Sequence, residues 1–199
     1  MARLIEKGIA SFRLNLRAAV RALWSGVWDD AEFIAAVGDD IERAYPQAWL
    51  EGASACGIKS LDELTEEEQD ALKEAIFAAL PYIGPFADAI VAGSRANKGK
   101  LAPLLTRTDI WVNQYNGILA KARTMSCGDL KWRWVRGPTE VSCRDCSAYN
   151  GRVYRGSTWA KYGIYPKSPS LACHGFNCLC KLEATDAPIT RGRPPAMTG

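Results

Sequence analysis

Apolar residues recur at three- and four-residue steps from the start of the chain to about Met125, the spacing of one face of a helix. Residues 3 to 28 form the first such run, with Ile5, Ile9, Phe12, Leu16, Val20, Leu23 and Val27 on one side. Arg13, Arg17 and Arg21 make a four-residue ladder on another side, either a solvated face or a contact for phosphate or a partner. Trp24 and Trp28 read as core or as an interface with another subunit. A second run, Phe33, Ile34, Val37, Ile41, Ala44, Tyr45, Ala48 and Trp49, follows Asp29 and Asp30, either of which can cap the first turn. Pro46 is expected to kink or divide this helix, and Gly52 and Gly57 suit its end. Thr65-Glu66-Glu67-Glu68 spells a capping box ahead of a helix to about Leu80. A break from Pro81 to Pro85 leads to a shorter helix reaching about Asn97. Pro103 then opens a long one to about Met125, with Ile110, Trp111, Gln114, Tyr115, Ile118, Leu119 and Ala122 inward.

After Gly128-Asp129 the period changes from helical to two. Lys131-Trp132-Arg133-Trp134-Val135-Arg136 alternates as a half-buried strand does. Asn150-Gly151 is a tight-turn dipeptide, with a short strand at Arg152-Val153-Tyr154 beyond it and another at Lys181-Leu182-Glu183. The pattern predicts an α+β fold, mainly α. A helical region covers 1–128, a small Cys/His-rich module with β-strands covers 129–184, and 185–199 forms a tail. With three prolines and no apolar period, the tail is expected to be disordered or ordered only by a partner. The most apolar stretch, 75–92, is interrupted by Pro81, Gly84, Pro85 and Asp88. It reads as two buried half-helices rather than a membrane span, so a soluble protein is expected.

Charge divides the chain where the period does. Residues 1–120 hold 12 Lys/Arg against 17 Asp/Glu, and residues 121–199 hold 13 against 5. A basic segment of that kind suits nucleic acid or an acidic protein surface, and Arg133, Arg136, Arg152 and Arg155 are the candidate contacts. Trp132, Trp134, Tyr149, Tyr154, Trp159, Tyr162 and Tyr165, interleaved with these cations, would suit base stacking, but a small module also needs them as its core.

Five of the seven cysteines and the only histidine lie between Trp132 and Leu182. Cys143-x-x-Cys146 is followed, 26 residues on, by Cys173-His174-x-x-x-Cys178-x-Cys180. Two clusters of soft donors at that spacing are the pattern of a closed zinc site, with disulfides or unrelated buried thiols as the competing readings. No secretory leader precedes them, which weighs against disulfides. Six donors compete for four places. Cys143 and Cys146 form the first pair, and the second is Cys173 with Cys178, His174 with Cys178, or Cys178 with Cys180. The set taken forward is Cys143, Cys146, Cys173 and Cys178, with His174 and Cys180 as alternates. Surplus thiols and one histidine fit a closed structural site rather than a catalytic one, so no enzyme is expected. Cys56, alone in the acidic half, reads as a packed thiol.

The order of parts resembles a known family. A long helix ends near Gly128. Lys131-Trp132-x-Trp134 follows, then Cys143-x-x-Cys146-x-x-Tyr149-x-Gly151-x-Val153, then a loop with Pro166 and Pro169, and finally Asn177-Cys178-x-Cys180-x-Leu182. Over roughly residues 103–183 this is similar to the phage Mu F-like head morphogenesis family, the minor head proteins of tailed phages. The resemblance implies a virion protein made in the host cytoplasm. It would assemble in the head near the portal, with capsid, portal or packaged DNA as partners and no membrane. The chain departs from the family pattern in being short and in carrying extra donors at Cys173 and His174. A free nucleic-acid-binding zinc module is the alternative reading.

Overall fold

The structure, a computed structural model, describes residues 2–138, 141–175 and 178–199, with side chains from residue 8 onward. It is mainly helical with one small sheet, the α+β class expected. The helices are α1 (Ala2–Ser25), α2 (Asp30–Ala53), α3 (Glu66–Ala79), α4 (Ile83–Ala92), α5 (Leu101–Arg107) and α6 (Asp109–Met125). The remaining elements are β1 (Lys131–Val135), α7 (Arg144–Tyr149), β2 (Val153–Arg155), α8 (Gly156–Lys161) and β3 (Lys181–Ala184). The chain separates into two compact units, one of residues 1–48 with 70–112 and one of 49–69 with 113–199. The division falls inside α2, α3 and α6, not at residue 128 where the sequence period changes.

In the first unit, Phe12, Leu16, Val20 and Leu23 of α1 are buried as their spacing requires. Val27 lies past the end of α1 and is exposed. The side chain of Ile5 is outside the described set. Trp24 is tied within the unit, its indole N–H donating to the Gly93 carbonyl at 2.9 Å. Two rungs of the arginine ladder, Arg13 and Arg17, stand 3.5 and 3.9 Å from the Asp109 carboxylate, so that part of the face is ion-paired at the surface. Asp29 caps α2 reciprocally with Glu32: the Glu32 amide donates to the Asp29 carboxylate and the Asp29 amide to the Glu32 carboxylate. Pro46 does not divide α2. Tyr45 and Trp49, on either side of it, are fully buried, and that packing outweighs the roughly 3 kcal/mol an interior proline costs. The expected helix from Pro103 is two, interrupted at Thr108, whose hydroxyl donates to the Leu105 carbonyl at 2.7 Å. Phe86 centres this unit's core, against Phe33 and Trp111 with the Arg107 guanidinium over its ring.

A 3-10 turn at Leu80–Tyr82 separates α3 from α4, so two half-helices do form. Their burial differs from expectation: Phe77 and Tyr82 are exposed, and only 28% of the most apolar window is buried. Among the described residues, the run Glu66–Ala92 is the one helical stretch long and apolar enough to cross a membrane, by length and composition alone.

In the second unit the Thr65/Glu68 capping box is present: the Thr65 amide donates to the Glu68 carboxylate at 2.8 Å, and the Glu68 amide to the Thr65 hydroxyl at 3.3 Å. Gly52 of α2 presses on α6. A β-carbon there would stand 2.8 Å from that of Ala122, too close without a backbone shift. Cys56 is not the isolated packed thiol expected; it is disulfide-bonded to Cys127 across 71 residues. Closing a loop of that length restricts the unfolded chain, so Cys56→Ser is expected to lower stability by about 4 kcal/mol. Chemical denaturation under non-reducing conditions checks this, and an unchanged midpoint would count against the crosslink.

The sheet has the order β2-β1-β3, antiparallel throughout, with Trp132 opposite Tyr154 and Trp134 opposite Leu182. Alternation places Trp132, Trp134, Tyr154 and Leu182 inward, where they meet Tyr149 and Trp159. The Trp159 ring lies 4.9 Å from that of Tyr154, edge to face, and its N–H donates to the Trp132 carbonyl. Trp132, Trp134, Tyr149, Tyr154 and Trp159 are therefore core, while Tyr165 is half-buried and Tyr162 is exposed. The tail is not disordered. Residues 185–199 lack regular secondary structure yet run along the module: Thr190 exchanges two hydrogen bonds with Val153, and Pro195 accepts one from the Tyr149 hydroxyl.

Candidate metal centre

Cys143 caps α7, its sulfur accepting a hydrogen bond from the Cys146 amide at 3.3 Å. That turn brings the two thiols of the Cys-x-x-Cys pair to one end of the helix. Cys178 and Cys180 arrive from the other side, just ahead of β3, and both are buried. Gly137, beyond β1, closes the gap to them, since a β-carbon there would overlap the Leu179 backbone.

The five cysteines form two groups that share one member. Cys143, Cys146 and Cys173 have their sulfurs within 4.8 Å of one another, as do Cys146, Cys178 and Cys180. Cys146 is the hub, with its sulfur 3.7 Å from that of Cys178. The cluster lies against the aromatic core and can hold a metal ion. Of the set taken forward, Cys143, Cys146 and Cys173 are mutual neighbours, while Cys178 belongs to the other group together with the alternate Cys180. His174 is in neither. It is exposed, has a positive φ of 48°, and its Nδ1 sits 3.1 Å from the Pro169 carbonyl.

Hydrogen bonding polarises the thiols. Cys178 is held well below the usual thiol range by its bonds with the Cys146 and then the Cys180 thiol, against the opposing effect of burial. Cys146 is pushed up by its bonds with Cys178 and then Cys180. Burial and then a bond with Cys143 raise Cys173 to about 11. The sulfurs thus lie close enough to share protons, which metal binding would displace.

Two residues that sequence reasoning did not single out support the cluster. Asp145, between the first two cysteines, is 1% exposed. Its carboxylate accepts from the Ala172 amide at 2.8 Å, from the Thr198 amide at 3.1 Å and from the Thr198 hydroxyl at 2.8 Å. Burial alone would raise its pKa, but these bonds together hold it below the usual carboxylate range. Lys167 places its ammonium on the Cys178 carbonyl. Neither residue stands out in a single sequence, because an Asp in a turn and a Lys beside prolines are ordinary surface residues.

The candidate contact arginines do not act as one group. Arg133 and Arg155 share the outer face of the sheet with Lys131 and Lys181, since Lys131 pairs with Arg155 and Val135 with Lys181. Arg133 is bridged to Glu183 at 3.2 Å, and Arg155 donates to the Asp129 carbonyl. Arg152 folds back on the Ala148 carbonyl at 2.7 Å, while the Arg136 amide donates to Asn150. Asn177 of the carboxy-terminal motif lies outside the described residues. Comparison of the chain with models of known protein families, with curated proteins and with solved structures finds no match.

Proposed function

We propose that this chain is a structural or assembly protein of a tailed-phage head, a minor head protein associated with capsid, portal or packaged DNA, and that its cysteine cluster is a structural zinc site. No catalytic step is assigned to it. The metal part of the reading is carried by one observation: two sequence-distant cysteine motifs meet with their sulfurs within 4.8 Å around Cys146. A donor set of thiols alone, packed on an apolar core, matches the preference of zinc for closed thiolate coordination. The ion would take its four ligands from Cys143, Cys146, Cys173, Cys178 and Cys180, and would crosslink α7 to the segment ahead of β3. The head assignment is supported by the order of motifs from Lys131-Trp132-x-Trp134 to Cys178-x-Cys180-x-Leu182. Elemental analysis of protein purified under reducing conditions is expected to give about one zinc per chain, the number a single four-thiolate site holds. Mass spectrometry of purified particles is expected to find the chain in heads. Its presence only in lysate, never in particles, would remove the virion assignment.

A free nucleic-acid-binding module is the second reading, favoured by the shared outer face of Lys131, Arg133, Arg155 and Lys181. On that reading the full chain binds duplex of any sequence with a log–log salt slope of roughly −0.9 per phosphate neutralised. Arg133→Ala and Arg155→Ala would each make the slope shallower. A flat salt response would exclude it and leave these cations to dock on an acidic protein surface.

A further inference from the structure

We infer that Lys167 supplies the counter-charge to a metal–thiolate centre in the cysteine cluster. The inference rests on the metal reading proposed above and adds a residue outside the ligand set. Its starting point is how firmly Lys167 is placed. Its backbone adopts a φ of +67°, a region that non-glycine residues enter rarely. Gly175 packs on it so closely that a β-carbon there would overlap the Lys167 carbonyl, and a β-carbon built on Gly117 of α6 would touch its side chain at 3.4 Å. From this position the ammonium donates to the Cys178 carbonyl and lies 3.5 Å from the Asn113 side-chain oxygen.

The ammonium has no acidic partner. Among the described residues no carboxylate lies within ion-pair distance of it. The charged or chargeable groups that face it are thiols: Cys178, then Cys180, Cys173 and Cys146. A half-buried cation with only neutral partners is costly to desolvate. Four thiolates on a divalent ion leave a net charge of −2, which is also costly to bury in an apolar core. Each charge offsets the other, and the ammonium is already seated on the Cys178 carbonyl, beside a ligand sulfur.

Removing the charge should therefore act in opposite directions on the two forms of the protein. In the metal-free form, Lys167→Met removes a half-buried cation that lacks an acidic partner, so thermal stability is expected to hold or rise. In the metal-bound form it removes the counter-charge, and zinc affinity is expected to fall about tenfold or more, the scale of such supporting partners. Lys167→Arg keeps the charge and should stay close to wild type. A merely structural strut would instead lower both forms together. The experiment is competition for zinc against a chromophoric chelator, with thermal melts of full-length protein with and without chelator. Unchanged zinc affinity in Lys167→Met, or equal destabilisation of both forms, overturns the role of Lys167 while leaving the metal site in place. Wild-type protein that takes up no zinc overturns the metal reading, and this inference with it.

Discussion

Cys146→Ser is expected to abolish metal binding and to unfold the cysteine module at temperatures where the wild type is folded. Cys146 is the member common to both sulfur groups, so its loss leaves Cys143 with Cys173 on one side and Cys178 with Cys180 on the other. A structural zinc site contributes on the order of 10 kcal/mol or more of binding energy to folding, which matches or exceeds the whole stability of a typical domain. Cys173→Ser should be milder, because Cys173 belongs to one group and is only half-buried. Elemental analysis together with chelator-sensitive melting distinguishes the two variants. If Cys146→Ser retained a full complement of metal while Cys173→Ser lost it, the hub would be misplaced.

The second large effect is expected at Asp145. Its carboxylate joins three segments: α7, the Ala172 loop that carries Cys173, and the tail at Thr198. Asp145→Ala leaves the Ala172 amide without its acceptor and cuts the tail loose, at a cost of about 3 kcal/mol. Urea denaturation of chelated protein isolates this from any change in metal affinity. Limited trypsin digestion gives a second readout, since Arg191 lies in the tail, is exposed and precedes a glycine. Cleavage there should quicken in Asp145→Ala. An unchanged midpoint and cleavage rate would mean the tail is held by something other than Asp145.

Where a feature depends on period, it could be read from the chain. Most of the inner faces of α1, α2 and α6, the alternation of β1 and the capping box at Thr65 rest on local pattern and are found, but Ile34 and Ile110, expected inward, are exposed, as is Val27. What could not be read depends on contacts between distant residues. Pro46 breaks a local rule, but burial around it is set by the rest of the unit. Cys56 and Cys127 are far apart in sequence, and pairing leaves no trace in spacing. The tail has no apolar period because polar bonds to Asp145, Tyr149 and Val153 hold it. The same division applies to the site. Both cysteine motifs were legible and do converge, but more donors than places left the choice to three-dimensional proximity, which draws in Cys180 and leaves His174 outside.

One chain holding both a disulfide and five reduced thiols faces a problem of sequence in time. Before any metal is bound, the five free cysteines lie close enough for thiol–disulfide exchange among themselves, with the Cys146 and Cys178 sulfurs 3.7 Å apart. An oxidant acting then would pair sulfurs within the cluster as readily as Cys56 with Cys127. On the metal reading, an ion would take four of the five out of that competition and leave one. The crosslink would then form most cleanly with the metal already in place. A protein folded in a reducing cell and oxidised only after leaving it would follow that order without further assistance.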